Sequence, residues 1–272
     1  MTPSEPGTHR VDTTVPHSAR VYDYFLGGKT NYPVDEALAK QVLLVDSTVT
    51  DTVRANRRFM QRATRQLAQE AGIRQFIDIG TGIPTEPNLH QIAQQAAPDS
   101  RVVYVDNDPI VLRHAEALLD STPEGATDYV EADVRDPARI MEQAGQTLDF
   151  SRPVALSAVA LLHFVPDEDD AHGIVRRLME PLAPGSHLVV AHVTGDFDPD
   201  HAAEVVEIYR RQGTVLRPRT KAEAAAFFDG LVLTDPGLVL APEWRPDRAE
   251  EEAAAASDGA VVPVWVGVAR KP

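Results

Sequence analysis

Apolar runs of strand length alternate with helix-length segments through the middle of the chain, and this alternation limits the possible folds most strongly. Five such runs occur, at 74–80, 101–106, 127–133, 153–162 and 186–193. Runs rich in Val, Ile and Leu are typical of strands that are buried on both faces. Strands of this kind, separated by helices, predict a doubly wound, Rossmann-like α/β fold with a mostly parallel sheet.

The segments around these runs have helical patterns. They lie near 87–97, 109–120, 136–144, 168–182 and 199–212. A longer helix is predicted over 51–71, where Phe59, Ala63 and Leu67 form one apolar stripe. Its arginines are expected largely away from that stripe, at Arg54, Arg58, Arg62 and Arg65.

The N-terminal part has a different character. Residues 1–17 contain three prolines and little that could anchor a core, so we interpret them as a mobile leader. From Ser18 a short helix is predicted, which stops at Gly27-Gly28. The remainder is interpreted as one domain (18–272), made of a helical extension or lid (18–72) and a Rossmann-like core (73–272).

The balance of charge limits the partners. The chain has 26 Lys and Arg against 41 Asp and Glu, a formal charge of −15, which repels the phosphate backbone of nucleic acids. A nucleic-acid substrate is therefore disfavoured, and we expect a small, neutral or cationic molecule. The arginines of the 51–71 segment are the one feature that favours a basic strip.

The sequence lacks cysteine, a long apolar run and a metal-binding pattern. The sequence has no cysteine, which excludes disulfides and thiolate ligands and favours a cytoplasmic location. No run of about 18 apolar residues predicts a membrane span. The acids at 167–170 are typical of a solvated helix start, and no His, Asp and Glu spacing indicates a metal site.

A glycine-rich turn follows the first predicted strand. Asp78 ends that strand, and Gly80 and Gly82 follow with one residue between them. Small residues at this position let a ligand approach the backbone closely. The third glycine of a pyrophosphate-binding loop is absent, and Pro84 lies in the turn instead. An acid before the glycines suits an ammonium group, so the pattern favours S-adenosylmethionine (SAM) over a dinucleotide.

Two more acids end the next strands. Asp106 follows Asp78 by 28 residues, and Asp133 follows Asp106 by 27. Asp106 can accept hydrogen bonds from both ribose hydroxyls, and Asp133 from an adenine amino group, with Val134 offering a backbone N–H. Asp108 is interpreted instead as the cap of the helix that begins after it. The order and spacing of the three acids predict one nucleoside pocket.

Taken together, the motifs of this sequence resemble those of a known family. The resemblance is to class I SAM-dependent methyltransferases, and more narrowly to an actinobacterial S-adenosyl methyltransferase family formerly called a domain of unknown function. It spans about residues 16–270 and rests on the segments SARVYDYFLGGK (18–29), NRRF (56–59), FIDIGTGIPT (76–85), VVYVDNDP (102–109), ADVRDP (132–137) and LHF (162–164). It implies a seven-stranded sheet whose last strand, VVPVWVGVA, is antiparallel, and a SAM pocket at the carboxyl ends of the first three strands.

These motifs, together with Asn31 and with Ser157 of the fourth strand, supply the candidate site residues. The candidates for binding SAM, or its product S-adenosylhomocysteine (SAH), are Tyr22, Gly28, Asn31, Arg57, Asp78, Gly80, Thr81, Gly82, Asp106, Asn107, Asp133, Val134 and Ser157. His163 follows the fourth strand and is the candidate catalytic residue, either orienting or deprotonating the nucleophile. It can equally be a structural histidine.

Three functions stay open from the sequence. The first is methyl transfer from SAM to an unidentified small molecule. The second is SAM binding without turnover in a regulatory role, because no residue is an unmistakable general base. The third is an NAD-dependent oxidoreductase, which the missing third glycine disfavours. The sequence Ser157-Ala158-Val159-Ala160 stands where the resemblance would place an Asn-Pro-Pro-Tyr-like tetrapeptide, so methylation of a nucleobase is also disfavoured.

Overall fold

The computed structural model describes residues 12–118, 121–255 and 261–272. The first eleven residues of the expected leader lie outside these ranges, as do the last two residues of the helix predicted over 109–120. Residues 12–17 are described and lead into the first helix. The side chain of His17 caps that helix by accepting from the Ala19 N–H at 3.3 Å, and the helix begins at Ser18 as predicted.

One mixed sheet forms the centre of the molecule. Its strands are β1 (Gln75–Ile79), β2 (Arg101–Asp106), β3 (Ala126–Glu131), β4 (Ala155–Val159), β5 (His187–Val193), β6 (Val232–Leu233), β7 (Val239–Leu240) and β8 (Val264–Arg270). The order is β3-β2-β1-β4-β5-β8-β6, and β7 also pairs with β8. Strands β1 to β5 are parallel and β8 is antiparallel to β5. The predicted α/β fold with an antiparallel last strand is confirmed.

The far edge of the sheet differs from a simple seventh strand. Both β6 and β7 are antiparallel to β8, with Leu233 opposite Ala269 and Val239 opposite Val266. Because β5 occupies the other edge of β8 along its whole length, the two short strands share one edge. Thr234 still donates its N–H to the Val268 carbonyl of β8 at 2.8 Å, and residues 235–238 interrupt the pairing. The outer position is therefore filled by one interrupted strand in two pieces.

Helices cover both faces of this sheet. They are α1 (Ser18–Phe25), α2 (Pro33–Val45), α3 (Val49–Gln69), α4 (Leu89–Ala96), α5 (Pro109–Leu118), α6 (Pro137–Ala144), α7 (Ala171–Met179), α8 (Pro199–Arg211), α9 (Lys221–Ala225) and α10 (Arg248–Ala255). Helix α2 was not predicted from the sequence. Pro33 at its first position and Asp35, which accepts from the Tyr32 N–H at 2.8 Å, were its start signals.

Side chains that alternate along the strands belong to two separate hydrophobic cores. Ile77 and Ile79 of β1 belong to a core that includes side chains of α6 and α7. Phe76 belongs to the opposite core, with Phe59 of α3 and Trp244. A third, smaller cluster joins α1, α2, α3 and α8 through such side chains as Val21 and Leu38. This third cluster packs the N-terminal helices against the α/β core.

Arg62 corrects one expectation from the sequence. Arg54, Arg58 and Arg65 are exposed, as expected, but Arg62 is buried. Its guanidinium donates to the carbonyls of Trp244 at 2.8 Å and Ala241 at 2.7 Å and forms an ion pair with Glu250. The side chain therefore ties α3 to the segment before α10, and the described chain has no four-arginine strip on this helix.

We expect Arg62→Met to lower the free energy of unfolding by about 2–4 kcal/mol, because it leaves two buried carbonyls without their donor and Glu250 without its cationic partner. Arg58→Met, an exposed position one turn earlier, should change it by less than about 0.5 kcal/mol. Urea unfolding of both variants measures the difference. Equal stability of the two variants would show that the buried contacts of Arg62 contribute nothing.

Candidate functional site

Two neighbouring cavities lie beyond the carboxyl ends of the parallel strands. The first cavity, of about 150 Å³, is lined by the residues that follow β1, β2, β3 and β4, and by side chains of α1 and α3. The second cavity, of about 380 Å³, is lined by α1, α2, α3, α8 and the chain after β4 and β5. Five residues line both: Ser18, Tyr22, Asn56, Ala160 and Phe164.

The glycine turn after β1 forms one wall of the first cavity. Gly80 and Gly82 have φ angles of +70° and +68°, in the left-handed region that favours glycine. The Gly80 N–H donates to the Val105 carbonyl at 2.8 Å, which fixes the turn to β2. A Cβ on Gly80 would lie 2.7 Å from Leu161 Cδ1. The turn therefore packs tightly on the chain after β4.

Asp78 lies inside the first cavity. Its side chain keeps some exposure to the cavity, but protein surrounds it, and this burial raises the pKa of Asp78 to about 6. The hydroxyl of Ser157 and the guanidinium of Arg57 partly offset the increase. No backbone N–H donates to this carboxylate within the described chain. A cationic ligand group would therefore find an unsatisfied acid here.

Asp106 is buried at the same cavity and orders the turn. One carboxylate oxygen accepts from the Gly82 N–H at 2.8 Å and the other from the Asp108 N–H at 2.9 Å. Burial raises the pKa of Asp106, and these two hydrogen bonds oppose the increase. Asp108 itself caps α5 through the Ile110 N–H at 2.9 Å, which confirms its predicted structural role.

Asp133 and Asn107 meet at the outer end of the cavity. The Asn107 amide donates to Asp133 at 3.0 Å, and the backbone N–H of Arg135 donates to the same carboxylate at 2.9 Å. The guanidinium of Arg135 also lies 3.1 Å from this carboxylate. Burial opposes ionisation of Asp133, but the hydrogen bonds and this ion pair outweigh it and lower its pKa. Val134 also lines the cavity. The three predicted strand-terminal acids therefore share one cavity.

Tyr22, Asn56 and Arg57 close the N-terminal side of the first cavity. The Tyr22 hydroxyl donates to the Val53 carbonyl at 3.1 Å and accepts from the Asn56 amide at 2.8 Å. Arg57 donates to the carbonyls of the 85–87 turn. Asn56 lies in the NRRF segment (56–59) and lines both cavities, but it was not predicted as a site residue. Its place between Tyr22 and the cavities could not be inferred from spacing.

Gly28, Asn31 and Ser157 do not line either cavity. Gly28 and Asn31 form a turn closed by Asp23, whose carboxylate accepts from the Asn31 amide at 2.9 Å. The backbone of Gly28 lies close to this carboxylate, since a Cβ on Gly28 would be 2.0 Å from Asp23 Oδ1. Ser157 pairs with Asp78 across β4 and β1 and acts through that neighbour. We do not propose direct cofactor contacts for these three residues.

His163 lines the second cavity and not the first. It lies in a short 3₁₀ turn after β4, and its ring centroid is 4.4 Å from that of Phe164 and 5.6 Å from that of His192. Burial, with His192 and Arg219 nearby, lowers the pKa of His163 well below its usual value. The ring is therefore neutral near pH 7.

The second cavity is mostly apolar. Its wall includes Phe25, Val53, Val205, Tyr209 and Leu216, and none of its described lining residues is Lys or Arg. Asp46 and Asp198 contribute acidic groups. The cavity therefore suits a neutral or cationic molecule better than an anion. The larger volume and the apolar wall distinguish it from the first cavity.

Two negative findings apply to the described ranges. No helix there has both the length and the apolar composition needed to cross a membrane. No three His, Cys, Asp or Glu side chains in those ranges are grouped so that they could hold a metal ion.

Comparison with known proteins identifies the family. A model of the S-adenosyl methyltransferase family matches residues 4–272. A DUF574 family protein from Streptomyces avermitilis MA-4680 is 52% identical, with a TM-score of 0.92 over 97% of this chain and 100% of that one. A proposed methyltransferase from Thermobifida fusca YX is 36% identical, with a TM-score of 0.85 over 96% of each chain. The chain belongs to the S-adenosyl methyltransferase family.

More distant structures share the fold. A SAM-dependent methyltransferase from Anabaena variabilis ATCC 29413 has a TM-score of 0.51 at 14% identity, over 95% of this chain and 98% of that one. No curated protein matches the chain. The family membership makes the protein a SAM-dependent methyltransferase whose acceptor is unknown, and it sets aside the NAD-dependent oxidoreductase.

We expect Gly80→Ala to lower the free energy of unfolding by about 1 kcal/mol more than Gly72→Ala. Both glycines have left-handed φ angles, but a Cβ on Gly72 meets nothing within 4 Å, whereas one on Gly80 meets Leu161. Gly80→Ala alone should also weaken SAH binding, because it displaces the wall of the first cavity. Urea unfolding and calorimetric titration with SAH measure both effects. Unchanged SAH affinity in Gly80→Ala would contradict this placement.

Proposed function

We propose that SAM binds in the first cavity and that a small, neutral or cationic acceptor binds in the second. One observation carries the proposal: three strand-terminal acids line a cavity that shares a wall with a larger apolar one. The residues that line both cavities mark the boundary at which a methyl group can pass from SAM in the first cavity to the acceptor in the second. Residues 18–72 and 73–272 would then act as one unit, because both parts line both cavities.

The residues of the first cavity fit the ribose of SAM. Each carboxylate oxygen of Asp106 accepts one backbone N–H and keeps a second acceptor position. The two ribose hydroxyls can donate to these positions. Gly80, Thr81 and Gly82 leave room beside Asp106 because two of them carry no side chain. These free positions support the proposed bidentate role of Asp106 toward the ribose.

The two ends of SAM fit different groups. Asp78 offers an unsatisfied carboxylate to the methionine ammonium group. Arg57 uses one nitrogen for backbone carbonyls, so its remaining N–H groups can hold the methionine carboxylate. At the outer end, Asp133 can accept from the adenine amino group and Val134 can donate through its backbone. Asn107 positions the Asp133 carboxylate for this contact.

The chemistry takes place at the shared wall. When bound, SAM supplies an electrophilic methyl group, to which the acceptor's electron pair bonds while the carbon–sulfur bond breaks and its electrons remain on the sulfur of SAH. His163 lines the acceptor side and is neutral, so it can accept the proton that the nucleophile loses and release it to solvent once the product has left the cavity. The chain's other contributions are orientation and exclusion of water.

The charges of the protein favour a small acceptor over a nucleic acid. The exposed arginines of α3 are reduced to three by the burial of Arg62. The net charge of −15 opposes a polyanion over the rest of the surface. The cysteine-free sequence fits a cytoplasmic location, and the Streptomyces relative fits an actinobacterial source.

Binding of SAM without turnover is the second candidate, and one observation favours it. The pKa of His163 lies well below its usual value, which makes this histidine a weak base. Formation of SAH in the presence of any member of a panel of phenols and amines would exclude a purely regulatory role. Retention of unreacted SAM with the whole panel would support that role.

We expect Asp106→Ala to weaken SAH binding by about 1.5–3 kcal/mol, which corresponds to about 10–150-fold, because the ribose loses a charged acceptor. Asp106→Asn keeps part of the hydrogen bonding to the glycine turn and should lose less. Asp99→Asn, an exposed acid outside both cavities, serves as the control. Calorimetric titration with SAH measures the affinities. Wild-type affinity in Asp106→Ala would remove Asp106 from the pocket.

We expect SAH to bind more weakly as the pH falls below about 6. The pKa of Asp78 is raised to about 6, so its carboxyl is protonated at lower pH and the ligand ammonium must compete with that proton. Affinity should fall by up to about tenfold per pH unit between pH 6 and 5 and level off above pH 7. Asp78→Asn should bind weakly at every pH and lose this dependence. Identical pH profiles for wild type and Asp78→Asn would contradict the assignment.

A further inference from the structure

The His163 ring and the Tyr209 hydroxyl are polar groups of the second cavity that remain available to a ligand. The Nδ1 atom of His163 is sealed from solvent without a partner, whereas Nε2 is not sealed and has no hydrogen bond within the described chain. The Tyr209 hydroxyl is likewise neither sealed nor hydrogen-bonded in that part of the chain. Both residues are more than nine-tenths buried and line the cavity. Both atoms are therefore free to form a hydrogen bond with a ligand that enters the cavity.

The two groups lie along one side of the cavity. The Phe164 ring is 4.4 Å from the His163 ring and 6.2 Å from the Tyr209 ring, measured between centroids. Phe164 and Ala160 line both cavities, so His163 lies at the end near the first cavity. Tyr209 belongs to α8, which lines the second cavity only. The nucleophile of an acceptor must therefore lie at the His163 end.

Neither group carries a charge near neutral pH. Burial keeps the His163 ring neutral by lowering its pKa, and burial raises the pKa of Tyr209, which keeps its hydroxyl protonated. No described lining residue is Lys or Arg. An anionic acceptor would thus be buried without a counter-ion, at a cost of several kcal/mol by general estimates.

The acids of the cavity are already engaged. Asp46 accepts from the backbone N–H and the hydroxyl of Thr48, at 2.8 and 2.7 Å, and its other oxygen is 3.8 Å from His201. Asp198 caps α8 through the His201 N–H at 3.0 Å. Both carboxylates keep their charge, but solvent screens the exposed Asp198, and Asp46 lies beside His201. Neither acid is therefore a strong counter-ion for a cation that lies next to His163.

We propose that the acceptor is an uncharged, mostly apolar molecule of about two rings, whose reacting hydroxyl or N–H donates to His163 Nε2 and whose other polar atom bonds the Tyr209 hydroxyl. This inference rests on the proposed function and narrows its neutral or cationic acceptor to a neutral one. The volume of about 380 Å³ lies in the range of cavities that hold small organic ligands. Tyr209 is thereby a specificity-determining residue.

The test uses four naphthalene probes with the SAH-loaded protein. They are naphthalene, 1-naphthol, 1-naphthoate and 1-naphthylmethylammonium, which share a ring system and differ in the polar group. We expect 1-naphthol to bind about fivefold or more tightly than naphthalene, through one net hydrogen bond. The anion and the cation should bind at least about tenfold more weakly than 1-naphthol. Fluorescence titration at pH 7.5 measures all four affinities.

Variants connect these preferences to the two residues. His163→Leu combined with Tyr209→Phe should bring the ratio of the naphthol and naphthalene affinities to about one and leave SAH binding intact. Tyr24→Phe removes a hydroxyl from the same helical cluster but outside both cavities, and should leave the ratio unchanged. Val205→Trp should fill the cavity and abolish probe binding without loss of SAH binding.

Each failure has a distinct meaning. If SAH does not bind to the wild-type protein, the proposed function itself is overturned. Normal SAH binding with no probe binding, or with equal binding of the charged probes and 1-naphthol, would overturn only this inference. An unchanged naphthol preference in the double variant would also overturn it, because the hydroxyl would then be bound elsewhere.

Discussion

A single buried guanidinium holds the turn that separates the two cavities. Arg219 donates to the carbonyls of Leu162 and Val165 at 2.9 and 3.0 Å, which fixes the 3₁₀ turn carrying His163. It also lies 3.0 Å from His192 Nε2. Because arginine has only donors, Nε2 must accept, and the proton lies on Nδ1. Burial lowers the pKa of His192 to about 4, so the neutral ring tolerates the adjacent cation. Both cavities depend on this arrangement.

The buried acids divide by whether the chain itself satisfies them. Asp35 accepts from the backbone N–H groups of His17 and Tyr32, and its carboxylate is 3.6 Å from Arg20. Such an acid fixes the N-terminal wall and has little capacity left for a ligand. Asp78 receives no backbone donor in the described chain and has a raised pKa. An acid in that state gains most from a cationic ligand, which is why the two have different roles.

The sequence was most informative where a local pattern determines the structure. The apolar runs gave the five parallel strands, and the acids at their ends share one cavity because carboxyl ends of parallel strands meet at one edge. Gly28 and Asn31 lie outside the lining of both cavities, in a turn that the side chain of Asp23 closes from several residues away. Arg62 was misplaced because its partners are about 180 residues distant in sequence. Contacts of this kind have no periodic signal.

The second cavity is the part of the site that the sequence predicts least. It also shows that different elements of the fold line the two cavities. Its walls come from α1, α2, α3, α8 and the chain after β4 and β5, so no short motif describes it. Helix α8 lines this cavity alone, whereas the ends of β1, β2 and β3 line only the first. Substitutions on α8 can therefore change the acceptor without disturbing the cofactor residues. Tyr22 and Asn56, hydrogen-bonded to each other on the shared wall, are where a change must affect both ligands.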